Sequence, residues 1–332
     1  MIWLQLAACA VAILIAGSML SKNAELIAEK SGLSKSVAGL VLLAVVTSLS
    51  QLVASLSCAV VYDLPDMSVS ALLGSLMFNM MLIGLLDLVS RQKPMSYIVH
   101  EGHILSASFG IALTGLVVVD ILFGSHLPVL TFMHSMDPIT IMIIPLYLVA
   151  MRITFQFEKT RLETAAVEHS DELARNSWFK LISIFAVAAA VIIGASYLLP
   201  ELVNEIARQS GWSYSFMGSF FIAIATCLPE FSVATSAARR GAFDIAVASL
   251  LGSNLCYLVI VAITDFCYIK EPLLRHVSPI NALPGISAII SSAIIIIGLT
   301  YKTEKKLVIA ADALVMLIIY GCTALLLFVA AK

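Results

Sequence analysis

Long apolar runs alternate with short polar breaks along the whole chain. Ten runs stand out, at about 1–21, 36–61, 67–90, 103–123, 134–155, 177–199, 212–238, 243–268, 280–300 and 305–330. A hydrocarbon core of about 30 Å is crossed by about 20 apolar residues in a helix. Lipid leaves no partner for an open strand edge, so each run is expected as a helix. The pattern therefore predicts an all-α polytopic membrane protein with ten transmembrane helices. Residues 1–10 carry no Lys or Arg ahead of the first apolar run, so 1–21 is read as a retained helix and not as a signal peptide.

Composition sharpens the reading. Of 332 residues, 61% are hydrophobic and 12% charged, and the mean hydropathy is +1.02. Soluble domains carry roughly 25% charged residues, so a water-soluble enzyme and a disordered chain are excluded. The net charge of −2 offers no basic face for nucleic acid. Six cysteines (Cys9, Cys58, Cys227, Cys256, Cys267, Cys322) all lie in or beside apolar runs, as small apolar fillers and not a disulfide framework.

Positive charge orients the runs. When sides alternate with each run, 15 of the 19 Lys and Arg residues fall on one side, and only Arg208, Lys270, Arg275 and Lys332 on the other. The richer side is expected to be cytoplasmic, with both termini outside. The polar segment 156–176 is then a cytoplasmic loop between two five-helix halves, 1–155 and 177–332.

The halves resemble each other. Shifted by 179 positions, Gly39, Ala44, Thr47, Leu49, Ser57 and Ala59 meet Gly218, Ala223, Thr226, Leu228, Ser236 and Ala238. Shifted by 178, Asp66, Val69, Leu72, Leu73, Gly74, Ser75 and Asp87 meet Asp244, Val247, Leu250, Leu251, Gly252, Ser253 and Asp265. The repeated motif covers about 38–87 and 217–265. With five spans in each half, the second copy enters the membrane from the opposite side. Such inverted repeats typify secondary transporters, whose sites lie where the repeats meet.

Polar side chains sit inside these repeated spans. Thr47 and Gln51, Ser75 and Asn79, Thr226 and Glu230, and Ser253 and Tyr257 are each four residues apart. On a helix each pair shares a face. Four helices would then present oxygens to one centre, the ligand type that hard cations take. Pro229 lacks an N–H and frees a carbonyl near Ala225. Glu230 is the one acid falling mid-span in such a motif. An ionised group there costs about 2.5–3.5 kcal/mol on insertion scales, so a cation or a proton is expected to offset it. The alternative is a protonated glutamate bonded to Thr or Ser neighbours.

The other polar residues read as structural. Asp66 and Asp244 begin helices and are expected as caps. Asp87 and Asp265, and likewise Asp120, His126, His134 and Asp137, are placed at span ends as interfacial residues. His100-Glu101-Gly102-His103 has the wrong His spacing for a zinc protease. Asp312 falls inside the last run with no evident partner.

The segment Thr226-Cys227-Leu228-Pro229-Glu230, followed by Asp244-Ile245-Ala246 and Gly252-Ser253-Asn254, resembles the second alpha-repeat of the cation/calcium exchanger superfamily, which includes the sodium/calcium exchangers. The first repeat is a degenerate match. The resemblance implies a secondary-active antiporter, not an enzyme, that moves Ca²⁺ against Na⁺ or H⁺ by alternating access. The first and sixth helices would slide past a bundle holding the ligands. It implies ion ligands at Thr47, Ser48, Gln51, Ser75 and Asn79, and at Thr226, Cys227, Glu230, Ser253 and Tyr257. No fixed cofactor is implied; the partners are inorganic cations and the bilayer of a prokaryotic plasma membrane. The chain departs from the family pattern at Gln51 (usually Glu), Cys227 (usually Ser), Leu76 (usually Asn) and Tyr257 (often Asp or Asn). With one carboxylate left, Ca²⁺ would keep about one unit of positive charge, whereas Na⁺ or H⁺ would be neutralised. Exchange of Na⁺ or K⁺ for H⁺ at Glu230 is therefore the alternative, and a non-transporting membrane scaffold or sensor the second.

Overall fold

The computed structural model describes residues 1–30, 46–90, 95–126, 137–162, 177–301 and 310–330. Among these there are helices and no strands. We number the helices α1 (Ile2–Lys30), α2 (Leu49–Leu56, extended by a π-helical turn at Ser57–Val61), α3 (Pro65–Val89), α4 (His103–Phe123), α5 (Pro138–Leu162), α6 (Trp178–Ser210), α7 (Tyr214–Thr226), α8 (Leu228–Arg239), α9 (Phe243–Cys267), α10 (Ala282–Tyr301) and α11 (Ala311–Ala330). Among the described residues seven helices are long and apolar enough to cross a bilayer, and α7 with α8, bent by 48° at their junction, make an eighth if the pair is one span. Shorter apolar helices, Leu49–Val61 and Pro138–Thr154, fall where two further spans were expected.

Boundaries differ from the sequence reading in several places. Helix α1 runs on to Lys30 and α5 to Leu162, into segments expected as loops. Polar side chains do not end a helix whose backbone bonds are already made. The expected span 36–61 is described only from residue 46, and most of the expected loop 156–176, with His134, lies outside the described residues.

Helices α3 and α9 are largely apolar, are buried along most of their length and form the centre. Around them α1, α6 and α11 turn apolar residues outward, among them Val11, Ile15, Val187, Leu325 and Val329. Equivalent elements carry the repeat's offset. Leu49 and Leu228 open α2 and α8, and α3 and α9 are both 25 residues long, starting 178 positions apart. Packing is exchanged in the same way: α1 lies on α6 and α8 while α6 lies on α2, and α3 packs on α10 while α9 packs on α4.

Contacts sort the connections into two ends. At one end lie Trp3 against Trp212, Tyr62 bonded to Glu201, Lys270 paired with Asp63, and Arg275 paired with Asp137. At the other lie Lys30 over Trp178, the His100 N–H on Asp244, and the Ala310 N–H on Asp87. This is the same partition that the alternating Lys and Arg count gave. It makes α3 and α9 antiparallel, as an inverted repeat requires.

The acids expected as simple caps or interfacial groups do more. Asp66 and Asp244 cap the other half's connection and not their own helix. Asp66 accepts the Ser278 N–H and the Asn281 amide, both at 2.7 Å. Asp244 accepts the His100 N–H at 2.8 Å and faces His103 Nε2 at 3.2 Å. His100 and Ser278, and His103 and Asn281, are 178 apart, so one crossed clasp is built twice. Asp120, Asp137, Asp87 and Asp265, all near helix ends, are buried among protein groups. Asp312 lies in the first turn of α11 against Gly298.

Candidate cation site

Two helix breaks define the site. Ser48 precedes α2 with φ −75° and ψ 0°, and Cys227 separates α7 from α8 with φ −85° and ψ 0°. These positions are 179 apart, so each half breaks one helix at the same place. A break exposes carbonyls at one helix end and N–H groups at the next start, which is how transporters line an ion site inside a membrane. Gln51 and Glu230 both occupy the third position of the helix that resumes. Leu228 and Pro229 start α8 as a proline in the first turn does, costing no internal hydrogen bond. Helix α1 reaches the second break closely, because a Cβ at Gly17 would lie 2.5 Å from Pro229 Cγ.

All ten expected ligands lie in the interior, none more than 3% exposed. A polar chain links several of them. Gln51 Nε2 donates to Ser75 Oγ and lies 3.5 Å from Cys227 Sγ. Cys227 Sγ is 3.7 Å from Tyr257 Oη, which donates to Glu230 Oε1 at 2.9 Å. The Thr47 side chain bonds to the same carboxylate and lies 3.4 Å from Ser253 Oγ. Asn79 is tied across the centre by its amide, which donates to Asn254 Oδ1 at 2.9 Å.

Two expected ligands face elsewhere. The Thr226 hydroxyl donates back to the Ile222 carbonyl at 2.6 Å. The Ser48 side chain bonds to Cys256. Sequence reasoning did not single out Ser50 or Asn254. Ser50 Oγ donates to the Thr226 carbonyl at 2.9 Å, joining the two breaks. Asn254 Nδ2 donates to the Leu76 carbonyl at 3.4 Å. Asn254 stood in the Gly-Ser-Asn motif and was legible there; Ser50 carried no signal beyond sitting opposite Pro229 in the repeat.

Three buried acceptor oxygens in this set have no hydrogen-bond partner: Gln51 Oε1, Asn79 Oδ1 and Glu230 Oε2. Buried polar atoms are nearly always satisfied, and leaving one bare costs about 1–3 kcal/mol. Three bare oxygens, one on a carboxylate, in a lining with no Lys or Arg among the ligand set, suit a hard cation. Among the described residues no three His, Cys, Asp or Glu side chains converge as a metal centre. The set carries one carboxylate, on Glu230, among neutral polar side chains.

Similarity to known proteins extends over nearly the whole chain. The profile of the sodium/calcium exchanger protein family matches residues 1–156 and 180–329. The chain is 26% identical over 241 residues to the inner membrane protein YrbG of Escherichia coli, covering 72% of this chain and 71% of that one. It is 24% identical over 244 residues to the Ca²⁺/H⁺ antiporter ChaA of Bacillus subtilis, covering 71% and 69%. Its fold is similar to that of the H⁺/Ca²⁺ exchanger CAX, with a TM-score of 0.72 and 14% identity over 99% of this chain and 86% of the other.

Proposed function

This chain belongs to the sodium/calcium exchanger protein family, and on that premise we propose that it is a secondary cation antiporter working at the Glu230 site. The cargo is Ca²⁺, exchanged for Na⁺ or H⁺. The observation that carries the reading is the trio of partnerless oxygens on Gln51, Asn79 and Glu230 around two equivalent helix breaks. A bound cation satisfies all three at once; a static scaffold leaves them bare.

The proposed topology is ten spans in two inverted halves, with the Asp244 end in the cytoplasm of a prokaryotic cell. Alternating access then moves α1 and α6 against the bundle. Their mutual contact and their contacts with α8 and α2 are what such a motion would slide along. Gln51 and Asn79 supply neutral carbonyl oxygens, and Glu230 supplies the charge. Tyr257 holds one carboxylate oxygen and leaves the other for the ion.

The single carboxylate favours a second reading, exchange of Na⁺ or K⁺ for H⁺. A monovalent ion is neutralised by Glu230 alone, while Ca²⁺ keeps about one uncompensated charge. Flux into proteoliposomes decides. Purified protein should move Ca²⁺ against a Na⁺ or pH gradient, and Glu230→Gln should abolish the movement. Monovalent flux without Ca²⁺ flux would establish the second reading. No cation flux in wild type, or flux equal in wild type and Glu230→Gln, would overturn both.

A further inference from the structure

A separate group of acids lies at the Asp66 end of the bundle. Asp120 on α4, Asp137 just before α5 and Asp265 near the end of α9 are 1%, 0% and 3% exposed. Each of two has a clear structural task. Asp137 binds Arg275 through Nη2 at 2.5 Å and Nε at 3.0 and 3.1 Å. Asp265 accepts the Leu273 N–H at 2.6 Å. The repeat provides a control for that second task, because its equivalent Asp87 accepts the Met95 N–H at 2.9 Å, and Met95 and Leu273 are 178 apart. Asp265 is thus a loop clasp that both halves build, and beside Asp87 the further acid is Asp312, which lies against Gly298.

Asp120 has no such task. Its equivalent in the second half, 178 positions on, is Gly298. It accepts no N–H; Thr140 Oγ1 lies 3.4 Å from Oδ2, and Oδ1 has no partner at all. That bare oxygen lies beside Gly124: it is 2.5 Å, and Asp137 Oδ2 3.9 Å, from the point a Cβ there would occupy. Asp265 keeps its second oxygen, Oδ2, without a partner as well, so two carboxylates of the cluster each hold one bare oxygen.

The charged groups around Asp120 do not neutralise it. Arg275 is engaged by Asp137, Lys270 is paired with Asp63, and His276 with Glu271 at 3.0 Å. Three buried carboxylates therefore face one guanidinium. Buried like charges that share a site do not both ionise, and a bare buried carboxylate is heavily penalised. A proton on Asp120 removes both problems and needs no more space than the structure has.

We propose that Asp120 binds a proton in the folded protein, making the buried cluster of Asp120, Asp137, Asp265 and Arg275 a second proton site, separate from Glu230. Arg275, its side chain 16% exposed, is the cluster's link to water.

Infrared spectroscopy of purified protein tests this, in a Glu230→Gln background that removes the central carboxyl. A carboxylic-acid carbonyl band is expected at neutral pH, lost on adding Asp120→Asn and shifted on adding Asp120→Glu. Asp120→Asn, which copies the protonated shape, should also melt no lower than its parent at neutral pH and lose less stability toward pH 9. If the Asn variant fails to fold, the Glu variant's band shift carries the test. A band absent at neutral pH, or unmoved by either substitution, overturns the proposal. So does Ca²⁺-dependent stabilisation of the Glu230→Gln protein that Asp120→Asn erases, since a cation would then fill the place given to the proton.

Discussion

Gln51→Glu tests the charge argument directly. Gln51 is fully buried, starts the second half of a broken helix and points a bare oxygen at the site. Replacing its amide by a carboxylate adds one negative charge at nearly constant shape. At an effective dielectric of about 20, a unit pair about 4 Å apart interacts by about 4 kcal/mol. The new carboxylate therefore attracts Ca²⁺ by about 8 kcal/mol and Na⁺ by about 4 kcal/mol. Its own desolvation and its repulsion from Glu230 burden the empty protein equally before either ion binds, so they cancel in the comparison. The ratio of Ca²⁺ to Na⁺ affinity should rise by at most about 1,000-fold, the equivalent of about 4 kcal/mol. Relaxation and bound water reduce this, and a gain of at least about tenfold is expected. Competition of Na⁺ with radioactive Ca²⁺ uptake in proteoliposomes measures the ratio. A folded variant whose ratio is unchanged or lower would refute the idea that missing charge sets the selectivity.

Three further outcomes are expected. Gly74→Ala should lower thermal stability by about 1–3 kcal/mol through overpacking, because its Cβ would fall 2.5 Å from Ser219 Cα; equal melting of variant and wild type would contradict that contact. Asp66→Ala should cost about 1–3 kcal/mol, since the Ser278 N–H and the Asn281 amide lose their shared acceptor, and chemical denaturation in detergent reads the loss. Lys270 and Tyr268 hold the exposed Asp63 carboxyl below the usual carboxylate range. That pairing stabilises the protein above the ordinary carboxylate pKa and is lost as pH falls through the lowered one, so Asp63→Asn should flatten the acid limb of a melting-temperature profile between neutral pH and about pH 3.

Much of this was legible in the sequence, for a physical reason. Lipid tolerates few polar side chains, so Thr47, Gln51, Ser75, Asn79, Glu230 and Tyr257 stood out against apolar runs, and all six prove to be buried near the two breaks. The offsets of 179 and 178 gave the correspondence of α2 with α8 and of α3 with α9 before any fold was known. Side-chain direction was not legible. Thr226 fits the pattern of a ligand, yet its hydroxyl is captured by its own helix, a choice between two nearby acceptors that spacing does not reveal. The burial of Asp120 and Asp137 was not legible from their places near run ends. Asp137 is held by Arg275, which lies 138 residues beyond it in the chain and shows no local sign of it.

The repeat also separates what supports the site from what occupies it. The clasps are alike in both halves: Asp66 with Asp244, and Asp87 with Asp265, take loop N–H groups at matching offsets. The lining is not alike. Gln51 faces Glu230, Ser48 faces Cys227, and Asn79 faces Tyr257 across the same operation. A two-fold scaffold with unequal ligands places the charge off the axis, on the α8 side. An ion held there is bound chiefly by the second half, and the first half contributes neutral oxygens. In the proposed exchange the two halves that open the site are built alike, but the ion's electrostatic surroundings are not. Affinity should accordingly differ between the two faces even though the helices that open them are built alike.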